Sequence, residues 1–250
     1  MRPFRSLLAG TTLLALGACA AVPVEAPSPG PVTTAPIPAA AADFPRDARG
    51  TARAFVEVIA RMEPSVEEQC MRRRRGPISC DYQFVVVDDP RAEINAFQDL
   101  DSRGRPVIGF TLALIAATRN ADELAFVIGH EASHHILDHL TQKSASARTG
   151  AVIFGALATA TGADPVTVRS ASQAGADFGA RYYSKDWELQ ADYLGAIVTL
   201  DAGYNPERGA QFFLRIPDPG NRILGTHPSR QQRIDAVARA VADKRAGRVD

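Results

Sequence analysis

Apolar positions recur with helical spacing between Ala52 and Met62, where Ala54, Phe55, Val58, Ile59 and Met62 fall on or near one face. That predicts an amphipathic helix, interrupted at Pro64, with a further turn resuming before Cys70. Tyr82–Val87 is rich in β-branched and aromatic residues and stops at Asp88-Asp89-Pro90, so it reads as a strand. Glu93–Gln98 is a second short strand, Asp101-Ser102-Arg103-Gly104 a turn, and Pro106–Thr111 a third strand that leads into a helix from Leu112 to Thr118. Asn120 offers a cap and Glu123 stands three residues on, a variant of the capping box, which predicts a helix from Ala121 to about Thr141. Gly150–Gly162 is apolar, rich in small residues and too short to span a bilayer. It reads as a buried helix, a loop packed near a cleft, or a surface touching a membrane. A second major helix is expected from Ser184, as its cap, to Asp201, ended by Gly203 and Pro206. Shorter helices follow at Pro206–Arg215 and Ser229–Ala246. The fold class is therefore α+β, mostly helical with a small sheet.

The N-terminus reads as targeting rather than fold. Arg2 and Arg5 precede an apolar run from Leu7 to Leu16, and small residues lead to Cys19. Leu16-Gly17-Ala18-Cys19 resembles a bacterial lipobox, which implies cleavage of residues 1–18 and acylation of Cys19. Ala20 after the cysteine leans towards the periplasmic face of the outer membrane. Residues 19–46, with seven prolines from Pro23 to Pro45, read as an extended linker, and residues 47–250 as the folded domain.

Charge adds little. The 28 basic and 28 acidic residues balance, so no nucleic-acid footprint is visible. Cys70 and Cys80 lie close enough in sequence for a disulfide in an oxidising compartment, the alternative being two unpaired thiols. The pair would close a loop containing the run Arg72–Arg75, which reads as solvated.

The chemistry is concentrated in Gly129-His130-Glu131-Ala132-Ser133-His134-His135-Ile136-Leu137-Asp138-His139, which carries four of the five histidines. His130 and His134 are four residues apart, so a helix sets both imidazoles on one face, about 6 Å apart along the axis. Neutral imidazoles suit Zn²⁺, and Glu131 beside the first of them can take a proton from an activated water. Downstream, Glu188 and Asp192 share a face at the same spacing. Glu188 would complete a His₂Glu site and Asp192 would accept the ring N–H of a ligand histidine. Asp186 differs in phase and reads as an early-turn acid favoured by the helix dipole. His135 and His139 read as packing or surface residues. His227, in a loop, would donate a hydrogen bond to an oxyanion or occupy the open metal position at rest.

His130-Glu131-x-x-His134, Glu188-x-x-x-Asp192 and Thr226-His227-Pro228 together resemble the HtpX-type and CAAX-prenyl-endopeptidase-type zinc metallopeptidases, a gluzincin group. Asn95-Ala96-Phe97 resembles that family's strand motif beside the cleft, and the likeness spans roughly residues 50–240. It implies a zincin-like domain, one zinc on His130, His134 and Glu188, Glu131 as general base, and polypeptide substrates. Strand Glu93–Gln98 is the candidate edge against which substrate backbone would pair. The expectation is a lipid-anchored periplasmic endopeptidase acting on envelope proteins. Two further readings are a chaperone-like binding lipoprotein with little turnover, and a structural zinc closed by His227.

Overall fold

The structure, a computed structural model, describes residues 43–45, 47–74, 76–182, 184–215 and 228–249. The expected signal segment, the acylated Cys19, most of the linker, and His227 with its Thr226 neighbour lie outside the described residues.

Helix α1 runs Ala48–Arg73 without a break, capped by Asp47, whose carboxylate accepts the Gly50 N–H at 2.8 Å. The expected interruption at Pro64 does not occur. A proline inside a helix costs about 3 kcal/mol or more. On either side of it Met62 and Val66 are fully buried, and each contributes about 1.5–3 kcal/mol, so packing holds the helix together through the defect. At its end Cys70 and Cys80 form a disulfide, with Cα atoms 5.7 Å apart.

Three strands follow: β1 (Gln83–Val87), β2 (Ala96–Leu100) and β3 (Pro106–Thr111). β3 is central, parallel to β1 and antiparallel to β2. The second strand starts later than Glu93 because Thr111 ties the preceding residues down. Its hydroxyl donates to Glu93 O at 2.9 Å and accepts from the Asn95 N–H at 3.1 Å. Thr111 also caps the short α2 (Leu112–Ala117).

The central helix α3 spans Ala121–Ile136 and is buried along most of its length. Asn120 caps it through the Glu123 N–H at 3.1 Å. The Glu123 carboxylate completes no capping box; it accepts from the Arg119 N–H and pairs with Arg215. Nor does the helix reach Thr141. Asp138 adopts the left-handed conformation, φ 58° and ψ 37°, which aspartate tolerates better than most residues, and the chain restarts as α4 (His139–Ala160).

α4 pairs with α5 (Pro165–Tyr182) as a hairpin whose backbones touch at glycines. A Cβ on Gly150 would lie 2.0 Å from Gly175 O. The apolar segment 150–162 is thus the distal half of α4. It buries Gly150 and Gly155 against α5, leaves Val152 and Leu157 70% and 65% exposed, and lines no part of the cleft described below. No described helix is long and apolar enough to cross a membrane.

α6 spans Ser184–Asp201, followed by α7 (Pro206–Gly209), a 3₁₀ turn (Ala210–Leu214) and α8 (Arg230–Arg245). Ser184 is the first helical residue rather than the cap, and its hydroxyl donates to Arg181 O at 2.8 Å. Ser229 and Gln232 form a full capping box on α8. Packing of α1, α3, α6 and α8 around residues such as Phe126, Ile128, Ile197 and Val237 builds the core, with the sheet against one side.

Candidate metal centre

α3 and α6 approach backbone to backbone. A Cβ on Gly129 would meet Gly195 O at 2.6 Å, and one on Gly195 would meet His130 N at 2.8 Å. Gly129 thus lets α3 approach a second helix closely. Because the helices touch there, the next turn of α3 and the first turns of α6 face each other across a few ångströms.

Three side chains meet in that space. His130 Nε2 and His134 Nε2 are 3.2 Å apart. Glu188 places Oε2 3.5 Å from the first and Oε1 3.6 Å from the second. A tetrahedral ion bound at about 2.0–2.1 Å needs donor atoms about 3.3–3.4 Å from one another. The observed separations bracket that figure, so these residues can hold one zinc ion.

The outer nitrogens are also engaged. His130 Nδ1 donates to Asp192 Oδ1 at 2.9 Å, which leaves Nε2 as the free donor atom. Asp192 is fully buried and takes a bidentate pair from Arg233, Nε to Oδ2 at 2.8 Å and Nη2 to Oδ1 at 2.6 Å. Arg233 comes from α8, and its guanidinium carbon sits 3.4 Å from the centre of the Phe213 ring. The sequence reading missed Arg233: an arginine on a polar helix carries no local mark, and its partner lies 41 residues away.

The electrostatics favour a cation. Burial alone would pull the His130 pKa down, but hydrogen bonds to Asp192 and Glu188 outweigh it and raise the group to about 10. Burial, then the neighbouring His130 charge, push His134 down to about 3. Without a metal the pair thus holds one proton in excess, carried by His130. Burial foremost raises the Glu131 carboxyl to about 7, and the negative charge of Glu188 adds to it.

The site opens into a cleft of about 640 Å³, lined by His130, Glu131, His134 and Glu188 together with Asn95, Ala96 and Phe97. Ala96 and Phe97 open β2, the edge strand of the sheet, and Asn95 directly precedes it. The Phe97 ring lies over Gly109, where a Cβ would meet it at 2.1 Å. From α4 the cleft takes Leu140 and Lys143, and Trp187, Phe212 and Phe213 supply apolar wall.

Of the remaining histidines, His135 packs, with Nε2 donating to Ser79 O at 2.8 Å and its ring edge-on to Tyr82. His139 is 3% exposed and contacts His134, so the surface alternative is excluded for it.

The profile of Peptidase family M48 matches residues 60–241. The chain is 29% identical over 163 residues to the mitochondrial metalloendopeptidase OMA1 of Arabidopsis thaliana, covering 64% of this chain and 31% of that protein. It is 24% identical over 197 residues to the OMA1 of Saccharomyces cerevisiae, covering 74% and 53%. A proposed beta-barrel assembly-enhancing protease of Vibrio cholerae is 30% identical over 167 residues, covering 61% and 33%. The chain thus spans about a third to a half of the length of these relatives.

Proposed function

Because the chain belongs to peptidase family M48, a family of zinc-dependent metallopeptidases, we propose that it is a zinc endopeptidase of the bacterial envelope. The observation that carries this reading is the meeting of His130, His134 and Glu188 at tetrahedral spacing, with Glu131 beside them in an open cleft.

A zinc ion held by those three residues supplies a Lewis acid that polarises a carbonyl and acidifies water. Glu131 accepts a proton from the attacking water and returns it to the leaving amine. Asp192 and Arg233 hold His130 in the tautomer that leaves Nε2 free. β2 pairs with β3 along one edge, and its other edge supports an extended substrate through backbone hydrogen bonds. Such pairing is largely independent of sequence, which suits unfolded or misassembled polypeptides. His227 stands in this reading as the donor to the oxyanion of the attacked carbonyl.

The lipobox-like Leu16-Gly17-Ala18-Cys19 supports a lipid anchor on Cys19 and a place at the periplasmic face of the outer membrane. The named activity of the Vibrio cholerae relative supports the same compartment. The purified protein should degrade casein, a chelator should stop it, zinc should restore it, and Glu131→Gln should abolish cleavage while keeping the metal. Full degradation by the Gln variant would remove Glu131 from its role. Undiminished rescue of a deletion phenotype by that variant would favour the chaperone-like alternative. Cys19→Ser releases the protein from the membrane fraction if the anchor is real.

A further inference from the structure

His130 leans on a buried carboxylate, whereas among the described residues the second histidine of the pair has no acid hydrogen-bonded to its outer nitrogen. Its outer nitrogen, His134 Nδ1, instead lies 2.9 Å from His139 Nδ1. His139 Nε2 is in turn 3.4 Å from Gln190 Oε1, and its ring stacks on Trp187 at 6.0 Å between centres. Gln190 and Trp187 belong to α6, on either side of Glu188.

We infer that His139 is a positioning residue for His134, holding its ring by accepting the Nδ1 proton. The inference rests on the metallopeptidase reading above and concerns how one ligand is kept in place. The proton arrangement follows from the partners. For His134 to direct a lone pair from Nε2 towards His130 and Glu188, its proton must sit on Nδ1 and be donated. His139 Nδ1 is then the acceptor, so the His139 proton sits on Nε2 and is donated to the Gln190 carbonyl oxygen. Each atom in the row His134–His139–Gln190 has one role, and the row ends on an amide oxygen that only accepts.

The left-handed Asp138 makes this contact. On an unbroken helix His139 would lie about 140° around the axis from His134, facing elsewhere. The break at Asp138 turns the chain back, and the two rings meet edge to face at 5.0 Å between centres. The relay therefore joins α3, α4 and α6 around the ligand set, and the two histidines are supported unequally, one by a charged acceptor and one by a neutral one.

The test compares variants that separate hydrogen bonding from bulk. His139→Leu fills the space under Trp187 but accepts no proton; His139→Asn is smaller, yet its side-chain oxygen can stand near the imidazole Nδ1. Zinc affinity is read by competition with a chromophoric chelator, and folding by melting of the metal-free proteins. His139→Leu should bind zinc about 10–100-fold more weakly than wild type, and His139→Asn should recover most of that loss. Wild-type affinity in the Leu variant, or equal loss in both variants, would overturn the inference. If neither variant folds, Gln190→Met reads the same relay from its far end: weaker zinc binding supports it and unchanged affinity overturns it. A wild-type protein that binds no zinc would instead defeat the metal site itself, and the positioning role with it.

Discussion

Gly129 and Gly195 touch: a methyl group on the first would stand 2.6 Å from the carbonyl oxygen of the second. This contact sets the distance between the helix that carries both histidines and the helix that carries Glu188. Gly129→Ala must push the helices apart, at a cost of about 1–3 kcal/mol in stability. Because Glu188 recedes from the histidines, zinc affinity should fall in the same variant. Gly76→Ala, whose added methyl meets nothing within 4 Å, is the matched control and should be near neutral in both. Denaturant melts and zinc titration of the two variants check this.

Asp192 and Arg233 form a buried bidentate pair behind His130. Burial would raise the Asp192 pKa, and Arg233 together with His130 reverses that and lowers it. Arg233→Met leaves a buried carboxylate with half its support, and should cost about 3–5 kcal/mol. The double change Arg233→Met with Asp192→Asn removes the stranded charge and should recover part of that loss. A double-mutant cycle by chemical denaturation measures the coupling; additive losses would show that the two groups do not act as a pair.

The Glu131 carboxyl gives a pH dependence with a definite sign. In the metal-free protein burial raises it from an ordinary 4.5 to about 7. An acid with a raised folded pKa binds its proton more tightly folded than unfolded. Its stabilisation is complete below about 4.5 and is lost as pH climbs towards about 7. Glu131→Gln removes the titration and keeps the shape. The metal-free Gln variant should therefore melt higher than metal-free wild type above pH 7, by on the order of a few °C. That gap should close near pH 4.5, and a gap that does not change with pH would contradict the burial argument.

Much of the centre was legible because its chemistry is periodic. Residues four apart on a helix share a face whatever the tertiary fold, so His130 with His134 and Glu188 with Asp192 declare themselves locally. The sheet was legible for the same kind of reason, through β-branched runs and turn residues, although Thr111 moved the start of its edge strand to Ala96. What stayed hidden depends on partners remote in sequence or on single backbone angles. Arg233 acquires its role only when α8 docks beside α6. Asp138 breaks a helix that its neighbours favour, and so turns His139 from a residue facing elsewhere into a neighbour of His134. Pro64 misled in the opposite direction, since local backbone chemistry predicts a break that the buried Met62 and Val66 overrule.

The account stands on one carboxylate from α6 completing a site begun on α3. Zinc content per chain, measured on purified wild type and Glu188→Ala after removal of loosely held metal, tests this most directly. One zinc per wild-type chain and little or none on a folded Glu188→Ala variant is the predicted result. Equal zinc on both proteins would contradict it.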